Sequence, residues 1–222
     1  MASLTIENYV KAIYQLSAAA DGSAAATGKL AEVLAVSPGT VTSMLKTLSE
    51  SGLAEYVPYE GARLTDAGRM LALRVLRRHR LIELFLVRTL DLSWDEVHEE
   101  AENMEHAVSD LLVDRIDAFL GYPATDPHGD PIPKADGTVA RSAGRRLSQL
   151  AVGDRFRIGR VLDQSPEFLR YLTETGLRLD AEGSVVSNRT ESGTITVEVS
   201  GQQTTLSHAV ADRLLVEERG SG

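Results

Sequence analysis

The sequence has no cysteine among its 222 residues. Disulfide bonds are therefore excluded, and so are zinc sites built from thiolates. It also lacks any run of about 18 apolar residues, so no segment is predicted to span a membrane. The first residues lack a basic stretch followed by an apolar run, so no signal peptide is evident. We expect a cytoplasmic protein with no membrane partner.

Positive charge is scarce in one segment of the chain. The net charge is −9, and residues 91–120 hold ten acidic side chains against a single Arg. Residues 1–75 are close to neutral by the same count. The N-terminal third can therefore approach nucleic-acid phosphates without strong repulsion. The acidic segment instead suits bound dications, which would offset part of its charge.

A run over residues 94–107 contains neither proline nor glycine and is predicted to be helical. Two imidazoles and two carboxylates in it are spaced at i, i+4, i+7 and i+8, which places them on one face of a helix. These four residues are His98, Glu102, Glu105 and His106. An acidic helix face is usually just solvated, so this pattern alone does not establish a ligand set.

A second pair of the same residue types lies on the preceding predicted helix. His79 and Glu83 are four residues apart and share a helix face. The connection over residues 90–94 is short, so the two helices can pack antiparallel and pool their side chains. Nitrogen and oxygen ligands without sulfur favour a hard divalent metal. Together the two clusters predict a metal site.

The N-terminal third is predicted to contain a helix-turn-helix. Residues 6–16 form a first helix, and residues 28–35 form a second one capped by Thr27. Gly52 is predicted to end a third helix. Ser37 is a good N-cap for this helix, and Pro38 suits its first position. Residues 53–57 and 62–65 then alternate as two strands around a turn. A winged helix-turn-helix of this kind predicts DNA binding, with a helical packing module as the plain alternative.

The exposed face of the third helix is rich in Ser and Thr and has no Arg, Asn or Gln. The side chains that read bases bidentately are therefore missing, so we expect phosphate contacts, methyl contacts to thymine and specificity through DNA shape. The residues predicted to face DNA are Thr27, Ser37, Pro38, Thr40, Thr42, Ser43 and Lys46.

Residues 123–144 are rich in Pro, Gly and Asp and are predicted to form a linker. Beyond it, residues 153–159, 178–180, 183–187 and 194–199 alternate in period two, which indicates a small β-barrel. Residues 167–176 are predicted as a short helix. Residues 208–216 suit either a second helix or a last strand.

These motifs together resemble the diphtheria toxin repressor family of metal-activated bacterial transcriptional repressors. The resemblance rests on the winged helix, on residues 77–83 and 97–109, and on the segment Asp-Pro-His-Gly-Asp-Pro-Ile-Pro at 126–133. It implies a mainly α fold with a small β part. The implied domains are a winged helix-turn-helix at 1–73, a helical metal-binding and dimerisation domain at 74–140, a linker at 141–150 and an SH3-like domain at 151–222.

The resemblance also implies two metal sites in each subunit of a homodimer that binds double-stranded operator DNA. The ligands it assigns to the first site are Asn8, Glu102, Glu105 and His106. Those of the second site are His79, Glu83 and His98, with Gln164 and Glu167 expected to be added by the SH3-like domain.

Position 102 separates the branches of this family. Iron-responsive relatives have a Cys there, whereas Glu102 offers oxygen, which suits Mn²⁺ better than softer metals. The sequence therefore resembles the manganese transport regulator branch, with Fe²⁺ as the alternative metal. Asn8 departs from the usual acidic residue, and Lys11 stands where some members have a Glu ligand. We therefore expect separated sites rather than two ions bridged by that Glu.

The resulting expectation is a dimeric repressor that binds a palindromic operator when loaded with metal and controls metal-uptake genes. Without metal, we expect carboxylates such as Glu102 and Glu105 to repel one another and the first helix to be free to shift.

Three alternatives remain open. The first is an iron-dependent repressor of the same family. The second is a metallohydrolase that uses His98, Glu102 and His106, although no nucleophile motif accompanies them. The third is a winged-helix regulator that senses an organic ligand, with the His/Glu face merely solvated. We expect no enzyme activity and no small organic substrate.

Overall fold

A computed structural model of the chain describes residues 3–20, 22–140 and 144–219. These residues fall into two compact units. The first unit comprises Met1–His79, Glu105–Val108 and Pro133–Thr138, and the second comprises Arg80–Met104, Ser109–Ile132 and Val139–Gly222. Among the described residues, no helix is both long enough and apolar enough to cross a membrane.

The helices are α1 (Leu4–Ala19), α2 (Thr27–Val33), α3 (Pro38–Glu50), α4 (Asp66–Leu90), α5 (Val97–Glu105), α6 (Asp110–Phe119), α7 (Pro166–Glu174) and α8 (His208–Ala211). The strands are β1 (Ala54–Val57), β2 (Gly61–Leu64), β3 (Arg145–Arg146), β4 (Arg155–Val161), β5 (Glu182–Arg189), β6 (Thr194–Val199), β7 (Gln202–Ser207) and β8 (Leu214–Arg219).

The predicted helix-turn-helix is present in the first unit. The Ser37 hydroxyl accepts a hydrogen bond from the Thr40 amide at 3.1 Å, and Pro38 is the first residue of α3. Gly52 follows the C-cap with a φ of 70°, the left-handed conformation that glycine tolerates best. The prediction for Thr27 was wrong, because α2 begins at that residue and no side chain caps the helix.

The wing pairs β1 with β2 in antiparallel register. It leads directly into α4, whose start is fixed by Thr65. The Thr65 hydroxyl accepts a hydrogen bond from the Gly68 amide at 3.2 Å and donates one to the Gly52 carbonyl at 2.7 Å. The α4 backbone passes so close to Leu53, the residue before β1, that a Cβ at Gly68 would overlap the Leu53 carbonyl oxygen.

Apolar residues at helical spacing form the core of the first unit. Val41, Leu45 and Leu48 of α3 are fully buried, and they belong to the same core cluster as Val10 and Ile13 of α1. Burial of each such side chain contributes about 1.5–3 kcal/mol. The opposite face of α3 is left exposed by this packing.

The second unit contains a six-stranded antiparallel sheet in the order β3-β8-β4-β5-β6-β7. Its inward-facing residues form one core with α7 and with part of the segment predicted as a linker. Leu147 and Leu150 of that segment are buried in this core, so residues 144–150 belong to the domain rather than to a spacer. Residues 141–143 of the predicted linker lie outside the described residues.

Three further details of the structure differ from what was predicted for the C-terminal third. Residues 178–180 form a turn rather than a strand. Residues 208–216 contain both predicted alternatives, since the short helix α8 is followed by the start of β8. The strand β7 was not predicted, because its polar sequence Gln-Gln-Thr-Thr-Leu-Ser lacks apolar alternation.

The segment 126–130 is a folded loop and not the loose linker that its composition predicts. One Asp126 carboxylate oxygen accepts hydrogen bonds from the amides of His128 and Asp130 at 2.8 and 2.9 Å. The His128 imidazole donates through Nε2 to the Trp94 carbonyl at 2.8 Å and stacks on the Trp94 ring. The Trp94 indole in turn donates to the Thr173 hydroxyl at 2.9 Å.

Candidate metal centre

Glu105 is the centre of a buried polar cluster in the first unit. Its carboxylate is fully buried, and both of its oxygens lie 2.9 Å from the Lys11 ammonium. His79 donates through Nδ1 to Oε2 at 2.6 Å, and His106 Nε2 lies 3.2 Å from Oε1. Burial alone would raise the pKa of Glu105, but the hydrogen bond from His79 and the charge of Lys11 outweigh it, so this pKa is lowered. Glu105 is therefore an anion at neutral pH.

His106 is oriented by a second carboxylate. It lies in the turn that directly follows Glu105, the last residue of α5. Its Nδ1 donates to Glu7 at 2.7 Å, and Glu7 also lies 3.7 Å from Arg78. The other ring nitrogen, Nε2, is buried with no hydrogen-bond partner. A carboxylate behind one nitrogen and a lone pair on the other is the usual arrangement of a metal-ligating His.

A second polar atom in this unit is also buried without a hydrogen-bond partner, namely the side-chain oxygen Oδ1 of Asn8. Buried oxygens and nitrogens normally have a partner, so both atoms have unused capacity to bind a cation. The donors offered by Asn8, Glu105 and His106 are oxygen and imidazole, without sulfur. The residues present in this unit therefore fit a divalent metal ion.

Three of the predicted ligands lie in the second unit. His98 Nδ1 is 3.3 Å from the buried carboxylate of Glu83, and its Nε2 is 3.8 Å from Glu102. The His98 side chain is half exposed, whereas that of Glu83 is buried. Three of the predicted ligands are thus close neighbours, and one side of His98 is open to solvent.

Glu83 also faces two buried residues that the sequence did not single out as ligands. His128 Nδ1 lies 3.8 Å from Glu83 and 4.0 Å from Asp126. This trio has the composition of a cation site. Asp126, however, already accepts two backbone hydrogen bonds through one oxygen, so the need to hold the loop accounts for its burial. Burial, with the nearby charges of Asp130 and Glu83, raises the pKa of Asp126 well above its usual value, against the opposing effect of Arg80.

Two substitutions at Asp126 should distinguish the contribution of its hydrogen bonds to stability from the contribution of its charge. Asp126→Asn keeps an oxygen that can accept both amides and removes the repulsion from neighbouring carboxylates. We expect its free energy of unfolding to stay within about 1 kcal/mol of the wild type. Asp126→Ala leaves two buried amides unpaired and should lose about 2–4 kcal/mol. Urea denaturation measures both, and equal losses in the two variants would show that the charge itself is required.

The two ligands expected from the C-terminal domain have other contacts. The Gln164 amide donates to Asp130 at 2.9 Å, and Asp130 also pairs with Arg160. The Glu167 side chain is 82% exposed and lies 3.8 Å from Arg170. Glu167 belongs to no group of three or more His, Asp or Glu side chains found close together in the described parts of the chain.

Sequence reasoning missed Glu7 as the partner of His106 and Lys11 as the partner of Glu105. The available signal was their i, i+4 spacing on α1, which puts both on one helix face. Both are buried. The Lys11–Glu105 ion pair and the Glu7–His106 hydrogen bond join α1 to residues 105 and 106, and the expectation that α1 is free to shift without metal stays a prediction.

The residues predicted to face DNA lie in the first unit. Thr40, Ser43 and Lys46 are exposed on α3, and so is Pro38 at its start. The hydroxyl of Thr42 donates to the Pro38 carbonyl at 2.9 Å, and that of Ser37 serves as the helix cap. Thr27 is half-buried at the first position of α2.

Three protein-family models match successive parts of the chain. The model "Iron dependent repressor, N-terminal DNA binding domain" matches residues 1–62. The model "Iron dependent repressor, metal binding and dimerisation domain" matches residues 65–134, and the FeoA domain matches residues 145–218.

Curated relatives align along nearly the whole chain. The iron-dependent repressor IdeR of Mycobacterium tuberculosis (strain ATCC 25618 / H37Rv) is 32% identical over 230 residues, which cover 96% of this chain and 97% of the relative. The diphtheria toxin repressor of Corynebacterium glutamicum is 28% identical over 224 residues, covering 96% of each chain.

Solved structures of similar proteins include several manganese regulators. A manganese-dependent transcriptional repressor in complex with manganese has a TM-score of 0.86 and 41% identity, covering 96% of this chain and all of that one. The manganese regulator SloR has a TM-score of 0.77 and 34% identity, covering 96% and 98%. ScaR with bound Zn²⁺ has a TM-score of 0.80 and 33% identity, covering 96% and 99%.

Proposed function

This chain belongs to the iron-dependent repressor family of metal-dependent transcriptional repressors, and on that premise we propose that Mn²⁺ is its activating metal. The metal-loaded homodimer binds a palindromic operator in the cytoplasm and controls metal-uptake genes. The family consists of repressors and not of enzymes, so the metallohydrolase alternative has no support.

The observation that carries the manganese proposal is the donor set around Glu105 and His106. It offers carboxylate, amide and imidazole groups, and the chain has no cysteine to supply a soft ligand. Such ligands suit Mn²⁺. The similarity to manganese-dependent repressors supports the same choice. Iron is the second candidate, because the curated relatives include iron-dependent repressors.

We propose two metal sites per subunit, with the ligand sets that the resemblance implies. The proposed ligands of the first site are Asn8, Glu102, Glu105 and His106. Those of the second site are His79, Glu83 and His98. A bound dication supplies the positive charge that allows several carboxylates to stay close together. The proposed sets omit Gln164 and Glu167, whose contacts lie elsewhere.

In the DNA-bound form, the exposed face of α3 enters the major groove, where Thr40, Ser43 and Lys46 contact phosphates. Because this face has few base-reading side chains, the spacing of two half-sites and the shape of the DNA supply much of the specificity. The wing, formed by β1 and β2, follows α3 in the sequence. It is available for contacts with the DNA backbone.

The test is to select DNA from a random pool with the Mn²⁺-loaded full chain and to measure gel shifts of the selected DNA. Buffered Mn²⁺, Zn²⁺ and anaerobic Fe²⁺ are compared in these shifts. We expect no shift without metal and a palindromic consensus with it. A shift of equal strength in excess chelator would overturn metal control. Activation by Fe²⁺ but not by Mn²⁺ would replace manganese with iron.

A second measurement tests the coupling between metal and DNA. If metal favours the DNA-competent state, DNA must raise the metal affinity by the same factor, typically about 5–150-fold. Titration of Mn²⁺ into the protein alone and into the protein with the selected DNA measures this factor. Equal metal affinities in the two titrations would rule the coupling out.

A further inference from the structure

The ammonium of Lys11 occupies the chelating edge of the Glu105 carboxylate. Its Nζ lies 2.9 Å from each carboxylate oxygen and 3.5 Å from His79 Nδ1. Both partners are buried, with 6% of Lys11 and none of Glu105 exposed. An ammonium equidistant from both oxygens lies where a cation held by the whole carboxylate would lie.

Three of the lone-pair positions of Glu105 are in use. A carboxylate offers about four lone-pair positions. Lys11 takes one on each oxygen, His79 takes one on Oε2, and His106 Nε2 lies 3.2 Å from Oε1. A cation held by both oxygens of Glu105 can therefore bind only if the Lys11 ammonium gives way. His79 and His106 can present a lone pair to a metal, whereas the Lys11 ammonium has none and can only compete with it.

We propose that Lys11 is an internal competitor of the metal. It neutralises Glu105 in the metal-free protein, leaves the carboxylate on loading, and so sets the metal concentration at which the repressor is activated. Lys11 thus acts as a positioning residue for Glu105 and is not itself a ligand. This inference rests on the proposed function only in taking Glu105 as a metal ligand.

The competition has a structural consequence for α1. Without metal, Lys11 joins α1 to Glu105, so the helix is tethered rather than loose. When Lys11 leaves Glu105, that tether is lost, and contacts of α1 with the loaded site have to replace it. The metal-free and metal-loaded states then differ in the contact that joins α1 to Glu105.

The test is Lys11→Met in the full chain, which keeps an unbranched apolar stem and removes the ammonium group with its charge. We expect Mn²⁺ affinity, measured by competition with a fluorescent chelator, to rise about tenfold or more, because no ammonium has to be displaced from Glu105. The melting temperature of the metal-free variant should fall, since Glu105 loses its buried counter-charge. The increase in melting temperature on adding Mn²⁺ should exceed that of the wild type.

The matched control is Lys29→Met. Lys29 makes the same kind of pair with Glu32 at 2.9 Å in the same unit, but both side chains are about two-thirds exposed. Neither the Mn²⁺ affinity nor the metal-free melting temperature should change in this variant, because exposed pairs contribute little. A gain in affinity of the same size in Lys29→Met would reduce the effect to one of net charge and overturn the proposal.

Lys11→Gln is the second variant, because it keeps a hydrogen-bond donor if Lys11→Met fails to fold. It should show the same direction of change in affinity. If the wild type binds Mn²⁺ but the folded variants bind it equally or more weakly, Lys11 supports the metal site rather than competing for it, and only this inference falls. If the wild type does not bind Mn²⁺, the proposed function falls as well.

Discussion

Replacing His106 with Leu should lower the affinity for Mn²⁺ by about 100-fold or more and abolish metal-dependent DNA binding. The substitution removes the buried Nε2 that has no hydrogen-bond partner, and it removes the Nδ1–H that Glu7 holds. Glu7 keeps Arg78 as a neighbour, so the fold should persist. Chelator competition measures the affinity, and a gel shift with the selected DNA measures the loss of function.

Two further variants serve as controls for His106→Leu. Glu7→Gln keeps an acceptor for the His106 Nδ1–H but removes the carboxylate, so we expect a smaller loss of about tenfold in Mn²⁺ affinity. His208→Gln changes a His whose Nε2 contacts Asn188 at 2.8 Å in the C-terminal sheet, and it should leave metal affinity unchanged. Wild-type affinity in His106→Leu would remove His106 from the ligand set.

Replacing Gly68 with Ala should destabilise the first unit by about 3 kcal/mol. The added methyl group would overlap the Leu53 carbonyl, which is backbone and cannot rotate away. The start of α4 would have to move away from β1, and the hydrogen bond from the Gly68 amide to Thr65 would weaken. Thermal unfolding followed by helical circular dichroism should show a midpoint lower by about 6–12 °C.

Gly28→Ala is the control for Gly68. Gly28 is also in the first turn of a helix, but a Cβ there would meet no atom within 4 Å. Ala has the higher helix propensity, so this variant should be more stable than the wild type by about 0.5–1 kcal/mol. An unfolding midpoint for Gly68→Ala within about 1 °C of the wild type would mean that α4 does not pack as closely against Leu53 as described.

The winged helix was predictable because its signals are local. Ser37, Pro38 and Gly52 mark the ends of α3 by rules that act within one turn of a helix, and Thr65 does the same for α4. Apolar spacing then identified the buried face. Such features need no knowledge of which distant segments meet.

The residue types of the proposed metal site could be taken from the sequence, but their contacts could not. The helix was expected to continue through His106, but α5 ends one residue earlier, at Glu105. The pair Lys11–Glu105 joins residues 94 positions apart, and no local rule links them. Glu7 was missed for the same reason, because only tertiary packing brings it to His106.

The loop at residues 126–130 shows the opposite limitation. Its Pro, Gly and Asp content is typical of an exposed linker, yet Asp126 and His128 are buried. Composition could not reveal that one carboxylate oxygen would replace the missing regular hydrogen bonds of this segment. The resemblance to a known family marked the segment as important without giving that reason.

Trp94 gives the second unit an optical probe of its own. It is the only tryptophan in the chain, and its ring stacks on His128 while its indole nitrogen bonds to Thr173. Indole fluorescence therefore originates entirely in the second unit, at a position where the loop of residues 126–130 and α7 both touch the fluorophore. A heating curve followed by this emission tracks the second unit alone, whereas far-ultraviolet ellipticity sums over both units. Comparing the two curves distinguishes stepwise melting from a single cooperative transition without any added dye.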